Sequence, residues 1–321
     1  MVNSSIIPAP PSLAGLAWRE ITRDDLTALV DLASACFLVD GGIHFLFEPD
    51  SISSRFFPDL PGAAIGAFDP DGHLAACATI HFDGDSGSQR ARIVGHVRPD
   101  IRNRGIGNYL MRWSQIQARP LRVGSTNNDQ PVLEIATESL TDSAHRLYHA
   151  HGFETVTESL VMRRDLHLPM PDCPLPPGVT LTNWQPTLSD QFFQAYDAAF
   201  CERPGFPGWS AAEWVDSWTT DNFRPEWSLL ARADNVPLGF LTAAANPPHG
   251  FVVQVGVIPS HRRLGLGSAL IVETMRRMQS AGTVSIQLTV NVNNPGAIQA
   301  YAELGFTTIG RRGRYERIAG Q

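Results

Sequence analysis

Apolar positions along this chain recur in two different rhythms, and the switches between them mark its elements. In the second half, residues 251–257 (FVVQVGV) form an apolar run that Pro259 stops, which predicts a strand. A basic, glycine-rich turn follows. From Leu270 the apolar residues recur at helical spacing, as Leu270, Ile271, Met275 and Met278, up to Gly282, a natural helix stop. Residues 283–290 place Val284, Ile286, Leu288 and Val290 at alternate positions and predict another strand. A short helix is predicted over 295–304, then strands near 306–310 and 315–318. Upstream, 228–232 and 238–244 read as strands around the Asp234-Asn235 turn. The first half gives the same order: a hairpin turn at Asp69-Pro70-Asp71-Gly72, a strand over 91–97 followed by Pro99, and a helix over about 108–117.

The two halves read as copies. Arg102, Gly105 and Gly107 spell R-x-x-G-x-G, and Arg262, Gly265 and Gly267 repeat it 160 residues later. The same spacing relates residues 18–22 to 178–182, each a first strand followed by a polar helix entry, Asp24-Asp25 or Ser189-Asp190. Further on, Ala144, Tyr148, Gly152 and Phe153 match Ala297, Tyr301, Gly305 and Phe306 at a spacing of 153. The first half therefore carries seven extra residues, assigned to the polar stretch 124–130. Motifs in the same order, with the shift confined to one loop, predict a duplicated domain. The proline-rich run 168–178 (LPMPDCPLPPG) predicts a stiff linker. Domains are thus expected over 16–167 and 179–321, with a loose tail over 1–15.

Composition adds bounds. A length of 321 residues suits two domains, and 43% apolar with 18% charged residues is ordinary for a soluble globular protein. The net charge of -7 argues against a general nucleic-acid binder and suits a cytosolic protein with a cationic or amine substrate. Cys36, Cys77, Cys173 and Cys201 form no C-x-x-C pair and no metal-ligand spacing, so reduced thiols and no metal are expected. The opening MVNSSIIPAPPS does not read as a signal peptide, and no apolar run approaches the length of a membrane span.

The turn between strand and helix carries the candidate chemistry. A helix start offers unpaired N–H groups and partial positive charge; glycines let a phosphate approach, and Arg262 and Arg263 add charge. This is a candidate pyrophosphate cradle; the plainer alternative is a tight turn with basic surface residues. A dinucleotide fingerprint would need a third glycine where Leu270 stands, and the Gly-Lys-Ser/Thr of a P-loop is absent. What remains resembles motif A of the GCN5-related N-acetyltransferases (GNATs), which bind acetyl-CoA. Residues 290–306 resemble GNAT motif B, N-x-x-A-x-x-x-Y-x-x-x-G-F. The same residues also suit a plain capped helix, with Asn294 as cap, Pro295 in its first turn and Gly305 after its end. Tyr301 alone is as well read as a core aromatic with a polar tip.

The resemblance implies an α+β fold of two tandem GNAT domains, each a mixed, mostly antiparallel twisted sheet flanked by helices. The strand before motif A and the strand after its helix would splay apart to admit the pantetheine arm. The arm would meet Val255, Gly256 and Val257. The pyrophosphate would meet the N–H groups of Arg262, Arg263, Leu264, Gly265, Leu266, Gly267 and Ser268. Asn294 and Ala297 would touch the cofactor, and Tyr301 would protonate the leaving thiolate. The matching first-half positions are Val97, Arg102, Asn103, Arg104, Gly105, Ile106, Gly107 and Asn108, with Tyr148 for Tyr301 and Thr141 in place of the asparagine.

The expected activity is acetyl-CoA-dependent N-acetylation of the primary amine of a small molecule by direct attack, with no nucleic acid or membrane partner. The layout, and residues 198–209, resemble the mycothiol-synthase-like GNATs, in which the second half carries the chemistry. That group implies a carboxylate where this chain has Phe251, which cannot take a proton and speaks against the same acceptor. His249, Glu202, Asp221 and Glu226 are candidate replacements, each equally an ordinary loop residue. His96, on the first-half strand, is either a base or a half-buried strand histidine. His145 and His149 have zinc-like spacing without a third ligand and read as solvated. The competing function is a non-catalytic acyl-CoA sensor or pseudoenzyme, motivated by Thr141 and the unassigned base; a protein or peptide N-terminus as acceptor is a third.

Overall fold

The computed structural model describes residues 15–83, 90–118, 131–203 and 206–318. The proposed tail and the proposed insertion at 124–130 lie outside the described residues, except Gly15. The chain divides into two compact units, one running to Leu160 and resuming at Ile309, the other spanning Val161–Thr308.

The first unit opens with strand β1 (Ala17–Arg19), helices α1 (Leu26–Asp40) and α2 (Pro49–Phe56), and the hairpin of β2 (Gly62–Phe68) and β3 (Leu74–Asp83). Gly72 N–H closes the hairpin turn on Asp69 O at 2.9 Å. Next come β4 (Arg90–Val97), α3 (Ile106–Gln117), β5 (Val132–Thr137), α4 (Asp142–Ala150) and β6 (Glu154–Asp165), whose last residues belong to the second unit. The second unit repeats the series as β7 (Thr180–Asn183), α5 (Ser189–Phe200), α6 (Ala211–Asp216), β8 (Leu229–Ala233), β9 (Val236–Asn246), β10 (His249–Val257), α7 (Leu266–Ser280), β11 (Ser285–Asn291), α8 (Pro295–Glu303) and β12 (Thr307–Ile318).

Strand order is β1-β2-β3-β4-β5-β12 in the first unit and β7-β8-β9-β10-β11-β6 in the second. β1 through β4 pair antiparallel, as do β7 through β10; β4 with β5 and β10 with β11 are parallel. The last strand of the chain does not stay with its own repeat. β12 pairs antiparallel with β5, from Gly313 opposite Thr137 to Ile318 opposite Val132. A strand pattern specifies which face is apolar and not which neighbour it pairs with, so the exchange left no mark in the sequence. The proline-rich run 168–178 accordingly lies inside the second unit rather than between the two. The two strands expected near 306–310 and 315–318 are one continuous strand, whose residues 313–318 pair with β5.

The helix over the turn motif begins earlier than apolar spacing alone indicates. Gly105 (φ +86) and Gly265 (φ +79) turn left-handed, and α3 and α7 start at the next residue. α7 buries Leu266, Ala269, Leu270, Ile271, Met275 and Met278, one face at helical spacing. The second unit's core is a cluster of Trp184, Phe192, Tyr196, Phe200, Trp214, Trp218 and Phe240. Burying rings of this size contributes about 1.5–3 kcal/mol each. All four cysteines are free, and no helix among the described residues is long and apolar enough to cross a membrane.

Candidate active site

The parallel strand pairs open at one end in each unit. β4 and β5 are paired from Arg90–Val132 to Ile93–Ile135, and no pairing continues to Val97. β10 and β11 are paired from His249–Ser285 to Phe251–Gln287, and no pairing continues to Val257. The open end lies beside the glycine turn: a Cβ on Gly267 would sit 3.6 Å from Val257 Cγ2.

In the first unit the opening is a cleft of about 150 Å³. It brings together Val97, Arg102, Asn103, Ile106, Gly107, Thr141 and Tyr148, with His96 and Asp40. Arg104, Gly105 and Asn108 do not line it. Arg104 donates to Asp100 O, and Asn108 Oδ1 bonds His151 Nε2 at 3.0 Å. Thr141 caps α4, accepting from Ala144 N–H at 3.1 Å. Burial and the neighbouring Tyr315 push the Tyr148 phenol up to about 12, against a hydrogen bond from Thr137. His96 stacks on Phe56 at 5.7 Å, its Nε2 has no hydrogen-bond partner, and burial pulls its pKa down to about 3. The ring is therefore neutral at physiological pH.

Arg102 in this cleft is already neutralised. Its Nη1 and Nη2 each donate to an Asp40 carboxylate oxygen at 2.7 Å, and its Nε donates to Val97 O. Arg262, the matching residue, keeps the strand contact through Nε to Val257 O at 3.1 Å. Its Nη2 donates to Ala199 O at 2.9 Å, and Phe200 occupies the position matching Asp40. No carboxylate pairs with Arg262 among the described residues. The second turn thus keeps an arginine with no carboxylate partner, three residues before the uncapped start of α7 at Gly265.

The two strands that carry the open end also differ. β4 pairs with β3 in unbroken register, whereas the register of β10 on β9 shifts between Val252 and Gln254. Such a bulge bends a strand and re-aims its side chains. Gln254, just past it, accepts from Trp214 Nε1 at 2.9 Å. Gly256 lies tight against the aromatic core, where a Cβ would come 2.8 Å from Phe240, 3.0 Å from Ala199 and 3.1 Å from Phe200. On α8, Asn294 caps the helix through Ala297 N–H at 3.3 Å. Tyr301 is half-buried; burial raises its phenol pKa, and the nearby Arg203 charge opposes that.

These features have known counterparts. Residues 190–306 match the model of the "Acetyltransferase (GNAT) family", and residues 63–155 match an "Acetyltransferase (GNAT) domain". The mycothiol acetyltransferase of Thermomonospora curvata is 30% identical over 241 residues, covering 74% of this chain and 76% of that one. That of Rhodococcus erythropolis is 30% identical over 267 residues, covering 79% and 81%. The chain belongs to the GNAT family. It is a tandem GNAT and an N-acetyltransferase in type. A GNAT of Sphaerobacter thermophilus has the same fold, with TM-score 0.73, 23% identity, and 95% and 96% of the two chains covered. A tandem GNAT protein from the clavulanic acid pathway matches at TM-score 0.61 and 16% identity, over 95% and 99%.

Within this GNAT, the candidate bases fare unequally. His249 sits at the closed end of the β10–β11 pair, bonded to Ser285 Oγ at 2.8 Å, eight residues and roughly 26 Å of strand from Val257. Glu226 lies in the short turn whose carbonyl binds Asn183 and Arg277, on the flank of α7. The carbonyl of Asp221 accepts from Arg224. Glu202 is exposed, next to Arg203. His145 and His149 are not a solvated pair throughout: His149 is exposed, while His145 is half-buried and bonded to Tyr315 Oη at 2.9 Å. Sequence reading missed Asp40, Gln254, Trp214 and Arg203. The 160-residue offset held the signal for Asp40, since it aligns that carboxylate with Phe200 and so exposes the difference between the two turns.

Proposed function

We propose that this GNAT transfers an acetyl group from acetyl-CoA to the primary amine of a small molecule, and that the second unit performs the chemistry. The observation that carries the assignment is the contrast between the two arginines: Arg102 is bound by Asp40, while Arg262 keeps its charge for an anion. The N–H groups from Arg263 to Ser268, at the turn and the uncapped start of α7, fit a pyrophosphate, and Val255 to Val257, where β11 no longer pairs with β10, offer backbone groups to a pantetheine arm. The amine nitrogen attacks the thioester carbonyl, the new N–C bond forms, and the C–S bond breaks. Tyr301 gives its proton to the departing sulfur, and the amine's proton leaves to solvent. A phenol whose pKa is raised stays protonated at neutral pH and can serve as that acid. The mycothiol acetyltransferase relatives support a small-molecule acceptor. Phe251 stands half-buried on β10 and offers no base, which favours a different acceptor.

Release of free thiol from acetyl-CoA over a panel of amines tests this. Tyr301→Phe should lower kcat by about 10²–10⁴-fold, and Tyr148→Phe should leave it within about twofold. Loss of turnover in Tyr148→Phe with Tyr301→Phe active would move the chemistry to the first unit.

A further inference from the structure

The chain folds back on itself after α5. Arg203 N–H donates to Phe200 O at 2.9 Å, and the guanidinium carbon lies 4.0 Å above the Phe200 ring centre. Phe200 is itself fixed: its ring reaches Gly256 on β10, and the carbonyl of the preceding Ala199 is held by Arg262. The aromatic platform beneath Arg203 is thus part of the floor of the open end. The guanidinium lies within electrostatic reach of both the Tyr301 phenol and the Arg262 guanidinium. Arg203 is exposed, and no carboxylate pairs with it among the described residues.

An arginine stacked on an aromatic ring loses little further freedom when it binds, and its planar fork matches a carboxylate. In a chain of net charge -7, two unpaired arginines at one opening need an explanation. The donor's phosphates already have Arg262, Arg263 and the first turn of α7. The second charge, held on Phe200, lies within electrostatic reach of the phenol and is left for the acceptor.

We propose that Arg203 anchors a carboxylate on the acceptor, so that the second unit takes amines that also carry a carboxylate, of the amino-acid or peptide class. This rests on the second unit being the active one. Matched pairs of acceptors test it, each an amino acid and its carboxamide, by thiol release and by calorimetric titration in the presence of acetyl-CoA. Wild type should favour the acid. Arg203→Met should weaken binding of the acid about 10–100-fold, chiefly through KM, leave the amide within about twofold, and leave the KM for acetyl-CoA unchanged. Arg203→Lys should restore part of the preference. Equal binding of acid and amide by wild type would overturn the proposal, with or without turnover. So would a rise in the acetyl-CoA KM of Arg203→Met with the acid's binding intact, since Arg203 would then serve the donor. Preferential binding of the acid with no thiol release from any amine would sink the catalytic reading instead.

Discussion

His96 shows how much one side chain can be bent by its setting. Its ring stacks on Phe56 in the first-unit cleft, with Arg55 and Arg102 disfavouring a charge, and burial carries its pKa from 6.5 to about 3. The folded state therefore binds fewer protons than the unfolded state between those values. Its contribution to stability is complete above about pH 6.5 and is lost as pH falls toward 3, at no more than about 1.4 kcal/mol per pH unit. Denaturant titrations across pH 3–7 should show wild type losing stability faster than His96→Phe over that window. Parallel curves would mean that the fold does not hold this histidine neutral over that window. The Asp40–Arg102 pair belongs to the same scale. Its members are 62 residues apart, which hid it from motif reading, yet it separates the electrostatics of two turns whose motifs are identical.

At the scale of elements, the glycine turn was legible because its signals are local. R-x-x-G-x-G, the proline before it and the apolar helix face after it lie within thirty residues. The short helices α2 and α6 were missed for want of a long apolar stripe. α6 did carry a sequence signal, the capping box between Ser210 and Glu213, which the structure forms. Each turn also holds a non-glycine residue at positive φ, Asn103 at 61° and Arg263 at 62°. Asparagine tolerates that region and arginine does not, so the second turn keeps strain along with a charge. Arg263→Asn should raise stability by about 1 kcal/mol and increase the KM for acetyl-CoA severalfold, measured by thermal melts and initial rates. A more stable variant with an unchanged KM would detach Arg263 from donor binding.

At the scale of the whole molecule, the duplication could be read from spacing, and the exchange of final strands could not. β12 supplies the first unit with a sixth strand, the buried Tyr315, and the Arg312–Glu138 and Arg311–Glu158 ion pairs. The loop after α1 packs on it backbone to backbone: a Cβ on Gly41 would sit only 1.7 Å from Ile309 O. A fragment of residues 1–160 should therefore fail to fold, and joining residues 307–318 to it through a flexible linker should restore a cooperative melt. Circular dichroism of the two fragments decides this; equal melts would make the exchange incidental.

Strand exchange also sets an order of events at the ribosome. The first unit is synthesised first, yet it waits for the residues after 308, about 150 residues behind Leu160. At bacterial or eukaryotic elongation speeds that delay is roughly 8–30 s. For that interval β5 presents a bare edge, and the nascent half is a client for chaperones until β12 arrives to seal it.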